Sequence, residues 1–141
     1  MSRIRGHRTA RLAFQRVKAR SGGQDAKEYA SLAYKLPSMV LQNGLAQSTG
    51  FLLAKAANSL AHRQLHEDLL HVLQGVEASS APNFEAFHEE VLATDLQQCI
   101  LLTRRTLEVG AWLKRYAQAL IGIGENSPAP STAAQGGSRD A

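Results

Sequence analysis

Apolar side chains recur along this chain at intervals of three and four, and no stretch of alternating β-branched residues competes with that spacing. The chain can therefore bury its apolar surface as amphipathic helices but not as a sheet. In the first segment Ala10, Ala13, Phe14 and Val17 share one helical face, while Arg5, Arg8, Arg11, Arg16, Lys18 and Arg20 fill the remaining arc. The spacing predicts that this helix packs through Ala10, Phe14 and Val17, and Ser21-Gly22-Gly23 stops it. Asp25 followed by Glu28 reads as a capping box opening a short helix that carries Tyr29, Leu32, Ala33 and Leu36. Pro37 ends that helix and suits the first turn of the next, which runs through MVLQNGLAQSTGFLLAKAA. Gly44 lies inside this third helix at a cost of about 1 kcal/mol relative to alanine, which a close helix contact across Gly44 and Ser48 would explain. Asn58 or Ser59 caps a fourth helix with Leu65, Leu69, Val72, Leu73 and Val76 on one face, broken by Gly75 and SSAPN. A fifth begins near Asn83 and turns Phe84, Phe87, Val91 and Leu92 inward. Thr94-Asp95 caps the last stretch, Leu96 to about Ile121, with Thr103 as a candidate break and Ile100, Leu107, Ala111, Leu113, Ala117 and Leu120 as its core. The reading is all-α, a single compact bundle of five to seven helices.

The 141 residues suffice for one such core. Residues 1–7 read as a basic N-terminal arm, 8–122 as the helical domain, and 123–141, rich in Pro, Gly, Ser and Ala, as a disordered tail. No apolar run approaches the roughly 20 residues of a membrane span, so no membrane partner is expected. The single cysteine, Cys99, cannot form an internal disulfide, which points to a reducing, cytoplasmic setting.

Charge is unevenly placed. The chain carries +4, yet its first twenty residues hold seven cations and no acid, leaving the remainder net −3. Such an Arg-rich amphipathic segment has three readings: an organelle transit peptide, a solvated helix face, or a face that contacts phosphates. The transit reading wants more serine than the single Ser2 before Ser21. The phosphate reading is favoured by the excess of arginine and by clustering undiluted by glutamates.

No catalytic set emerges. His62 and His66 have metal-pair spacing, but Arg63 stands where a zincin helix needs its glutamate, and His71 points to the opposite side. Cys99 lies among Leu96, Ile100 and Leu102, an apolar setting in which it reads as a buried spectator and not a nucleophile. Glu67-Asp68 and Glu89-Glu90 diverge on a helix as adjacent residues must, and read as solvated faces. Gly22-Gly23 lacks the preceding strand of a phosphate loop. No metal and no cofactor are expected.

Two stretches carry a resemblance. YASLAYKLPSMVLQNGLAQSTGFL holds Tyr29, Ser31, Leu36, Pro37, Asn43, Gly44, Leu45, Gln47 and Phe51; LLTRRTLEVGAWLKRYAQALIG holds Leu102, Thr103, Arg104, Trp112, Leu113, Lys114 and Arg115. Together with RLAFQRV in the first helix, and in this order over residues 8 to 122, they resemble the small helical subunit of the type III-B (Cmr) CRISPR effector complex. The family's usual aromatic before the Leu-Thr-Arg step is replaced by Cys99 and Ile100.

The resemblance implies a non-catalytic structural subunit in antiviral defence. Several copies would stack head to tail beside the guide-binding backbone subunits, with the large subunit as a further partner, and would support guide RNA and target RNA through contacts to their backbones. The RNA-binding residues expected are Arg8, Arg11 and Lys18 from the first helix, Lys35 from the second, and Lys114 and Arg115 from the tryptophan motif. Trp112 is either a base-stacking residue or a core or subunit-contact residue. The alternative is a free-standing basic helical nucleic-acid-binding regulatory protein acting as a closed dimer; a helix-turn-helix is disfavoured because the helix after Pro37 is too apolar to be a recognition helix.

Overall fold

The computed structural model describes residues 2–122, with side chains from residue 5 onward, so the tail expected at 123–141 lies outside the described residues. Six helices make up the described fold: α1 (Ser2–Arg20), α2 (Ala26–Asn43), α3 (Leu45–Ala56), α4 (Leu60–Gly75), α5 (Phe84–Leu92) and α6 (Leu96–Leu120). The segment 1–7, set apart above as an arm, continues α1 from Ser2 onward. The most extensive packing is of α2 and α1 on α6, then of α3 on α4. Phe14 and Thr9 of α1 lie beside Tyr116 and Trp112, so α1 and α6 run the same way, whereas Lys114 over Tyr34 and Gly110 beside Leu36 set α2 antiparallel to α6. Val17, Leu36, Leu52, Leu65, Leu69, Leu73, Phe87 and Leu113 are fully buried between them. Each large aliphatic side chain removed from water in this way contributes about 1.5–3 kcal/mol.

Three helix starts follow their local signals. Ser59, Asn83 and Asp95 have extended backbones, and their side chains accept hydrogen bonds from the amides of His62 (3.3 Å), Ala86 (2.9 Å) and Gln98 (2.8 Å). Gln98 Oε1 accepts in return from the Asp95 amide at 3.1 Å, completing a capping box. The box expected at Asp25 and Glu28 does not form. Asp25 sits at φ −105° and ψ 28°, outside the extended region that a capping residue takes, and its side chain makes no capping bond.

Pro37 does not end α2, which runs through it to Asn43. Leu36 and Pro37 lie against Gly110 of α6, 3.6 and 3.7 Å from where a Cβ would stand there. Packing against α6 outweighs the backbone hydrogen bond that a proline forfeits. The break falls instead at Gly44, whose φ of 85° and ψ of 164° lie in a region that only glycine occupies at no cost. A Cβ at Gly44 would meet nothing within 4 Å, so this glycine serves the turn between α2 and α3 and not a close helix contact.

The end of α4 is a Schellman motif: the Ala78 amide donates to Leu73 O at 2.8 Å and the Glu77 amide to Gln74 O at 3.0 Å. Glu77 takes the left-handed position at φ 63° that glycine usually fills.

The sequence misplaces part of the α6 core. The helix does not break at Thr103, and Leu96, Ile100 and Leu101 near its start are exposed, as is Leu92 before them. Burial begins at Leu102, and Thr106, Val109 and Gly110 are then buried where Ala111 is not. On α1 the buried residues are Thr9, Ala13 and Val17, whereas Phe14 stays 37% exposed at the edge of α6.

Candidate nucleic-acid interface

The orientation of α1 is fixed by an ionic centre that sequence reasoning assigned to a solvated face. Asp68 of α4 is completely buried. Its Oδ1 accepts from Arg16 Nε at 2.8 Å and from Arg20 Nη2 at 2.8 Å, while its Oδ2 accepts from Arg20 Nε at 3.0 Å and from the Tyr29 hydroxyl at 2.6 Å. Glu67 adds a looser contact to Arg20 at 3.5 Å. The hydrogen bonds to Asp68 push the Arg20 guanidinium further up, and burial, then the neighbouring carboxylate, pushes the Tyr29 hydroxyl far above its ordinary range, so both stay protonated. Three helices converge on one carboxylate, and two of the seven N-terminal cations are thereby committed inside the protein. The mark of this centre in the sequence is weak: Arg16 and Arg20 are one helical turn apart, but nothing local pairs them with Asp68. Glu90, likewise read as solvated, accepts from the Ser79 hydroxyl at 2.7 Å.

With Arg16 and Arg20 turned inward, the opposite arc of α1 presents Arg8, Arg11 and Lys18 to solvent. Lys18 lies over the Phe14 ring at 5.7 Å, and Phe14 meets Tyr116 edge-on at 5.3 Å. Tyr116 stacks on Trp112 at 5.6 Å, and the Arg115 guanidinium sits over the Trp112 ring at 5.5 Å. Three aromatic rings thus line the seam between α1 and α6 in succession, with a cation over the ring at each end. Lys114 faces the other way, its Nζ over the Tyr34 ring of α2 at 4.6 Å, and Lys35 is exposed on α2 next to that tyrosine. The six expected residues therefore form two groups: Arg8, Arg11, Lys18 and Arg115 along the α1 side, Lys35 and Lys114 on the α2 side.

Sequence reasoning missed a cleft of about 360 Å³ between α1 and α6, where Arg5 and Thr9 face Glu108, Trp112 and Arg115. Thr9 is buried and its hydroxyl donates to Arg5 O at 2.8 Å, which holds the turn that carries Arg5.

The histidines are structural in their contacts. His62 Nδ1 shares a hydrogen bond with the capping Ser59 hydroxyl at 2.7 Å and meets Phe51 edge-on, while His66 stacks on Phe84 at 4.4 Å. Burial lowers the pKa of His62, His66 and His71. Among the described residues no group of three or more His, Cys, Asp and Glu gathers as metal ligands, and no helix is long and apolar enough to cross a membrane.

The fold and site define a small all-helical protein whose charged and aromatic groups are displayed along a helix seam. The family model described as CRISPR-associated protein (Cas_Cmr5) matches residues 5–120, nearly the whole described domain. A curated relative from Thermus thermophilus, named CRISPR system Cmr subunit Cmr5, is 34% identical over 119 residues, covering 84% of this chain and 97% of that protein. The crystal structure of a CRISPR-associated Cmr5 family protein from Thermus thermophilus superposes with a TM-score of 0.74 at 33% identity, over 83% of this chain and 96% of that one. This chain belongs to the Cmr5 family of CRISPR-associated proteins.

Proposed function

We propose that this protein is the small, non-catalytic structural subunit of a cytoplasmic type III-B (Cmr) RNA-guided effector complex in antiviral defence. The observation that carries the reading is the family match from Arg5 through Leu120, which takes in all six helices, joined to the name of the Thermus relative as a Cmr subunit. In this reading several copies stack head to tail beside the guide-binding backbone subunits and near the large subunit. The exposed cations on the α1 side, and Lys35 and Lys114 on the α2 side, lie along the phosphates of guide RNA and target RNA. Phosphate contacts of this kind add affinity through counterion release and carry no base information, which guide pairing supplies. Cleavage belongs to other subunits.

Co-expression with the backbone and large subunits, followed by purification through a tag on the backbone, tests this. The chain should be recovered in more than one copy per guide RNA, and a complex assembled without it should bind target more weakly while retaining its cleavage chemistry. Recovery of the chain only as a free dimer, with the complex unaffected by its omission, would instead support the free-standing regulatory protein.

A further inference from the structure

The α1–α6 cleft contains one group that a phosphate track does not explain. Glu108 stands in the same wall as Trp112 and Arg115, facing Arg5. Its carboxylate would repel a phosphate, and Arg105 engages it only at 3.7 Å. A guanidinium laid over an aromatic ring, with a carboxylate beside it, is suited instead to a nucleobase, which stacks on the guanidinium plane and offers N–H donors at its edge.

We propose that this cleft seats one unpaired nucleobase of single-stranded RNA, guanine in preference to the others, with its flanking phosphates held by Arg5 and Arg115. The assignment deepens the RNA-binding reading above and rests on it. The volume of about 360 Å³ lies near the lower end of small-ligand pockets, roughly 300–1,000 Å³. Trp112 stacks on Tyr116, which Phe14 meets edge-on in turn, so the ring beneath the Arg115 guanidinium is also packed by the protein itself. Guanine presents its ring N–H and exocyclic amine side by side and can engage both oxygens of Glu108. Adenine and cytosine offer an amine alone, and uracil a single ring N–H. Discrimination by a paired contact of this type corresponds to about tenfold in affinity.

Trp112 is the only tryptophan in the chain, so its fluorescence reports on this cleft alone. The full chain is titrated with short oligouridine RNAs that carry one central guanosine, one central adenosine, or neither. The guanosine RNA should quench Trp112 and bind about tenfold more tightly than plain oligouridine. Glu108→Gln, at an exposed site whose folding is checked by circular dichroism, should reduce that preference to about twofold or less, while Arg5→Ala weakens all three RNAs alike. A guanosine preference that survives Glu108→Gln overturns the proposal. Salt-dependent binding of all three RNAs with equal affinity and no change in Trp112 emission also overturns it, yet leaves the broader RNA-binding reading standing. That reading fails separately if neither the free chain nor the assembled complex loses RNA affinity when Arg8, Arg11 and Lys18 are replaced.

Discussion

Asp68 is the residue on which most of the polar architecture depends. It offers two carboxylate oxygens to two guanidiniums and a phenol, and it has no contact with water. Asp68→Ala would leave Arg16 and Arg20 facing each other with only the looser Glu67 contact to Arg20, at 3.5 Å, as counter-charge. Both retain some solvent, at 31% and 18% side-chain exposure, so the expected loss is at the low end for a broken buried pair, about 3 kcal/mol in denaturant unfolding. Tyr29→Phe removes one donor to the same carboxylate and should cost about 1–2 kcal/mol. A cost for Asp68→Ala as small as that of an ordinary surface substitution would mean that the centre does not hold α1. The histidines set the pH dependence. Burial lowers the pKa of His62, His66 and His71, so below about 6.5 the unfolded chain takes up protons before the folded one does. Stability is complete above that pH and is lost as pH falls through it, and thermal melts between pH 7.5 and 5 should show a declining Tm. His66→Gln, which removes the histidine stacked on Phe84, should make the decline shallower.

At the scale of elements, three glycine-related positions separate backbone demands from packing demands. Gly44→Ala forces a side chain into a conformation that only glycine adopts freely and should cost about 1–3 kcal/mol, although open space surrounds it. Gly110 lies in the middle of α6 with ordinary van der Waals distances to Leu36 and Pro37 around its missing Cβ. Gly110→Ala should therefore raise stability by up to about 1 kcal/mol through helix propensity, and Glu77→Gly should do the same by relieving the left-handed position in the Schellman turn. A fall in Tm for Gly110→Ala would show that α2 and α6 are closer than ordinary contact. The helices that were legible in the sequence are those whose boundaries are local: Ser59, Asn83 and Asp95 cap with their own side chains, three residues from their partners. Pro37 was misread because the force that keeps it helical comes from α6, more than seventy positions away along the chain. The exposure of Ile100 was misread for a related reason, since a helical stripe shows which residues share a face but not which turns of it a neighbouring helix covers. The candidate site followed the same division. The cationic residue types could be read from the first helix, whereas the commitment of Arg16 and Arg20 to Asp68, and the cleft opposite Glu108, exist only once α1, α4 and α6 are packed.

For the whole molecule, that commitment divides one Arg-rich helix into two functions that an assay can separate. Arg8, Arg11 and Lys18 face solvent on the arc away from the core, whereas Arg16 and Arg20 are spent on Asp68. If the exposed three neutralise phosphates in an assembled complex, their joint replacement by alanine should weaken target binding about equally for every target sequence. It should also flatten the plot of log affinity against log salt by roughly 0.7 per contact on single-stranded RNA, about 2 in all. The folded chain should be nearly indifferent to the change, because exposed surface substitutions generally stay within about 0.5 kcal/mol. Arg16→Ala should behave in the opposite way, lowering the melting temperature of the free protein and leaving the salt slope of the complex unchanged, because Arg16 releases no counterion from RNA. Target-binding titrations over a range of salt, paired with melts of the same variants, therefore score the two groups independently. A salt slope that flattens for Arg16→Ala as much as for an exposed cation would place the ionic centre itself against the RNA, and a slope unchanged by the triple replacement would leave α1 as a helix whose charge is only solvated.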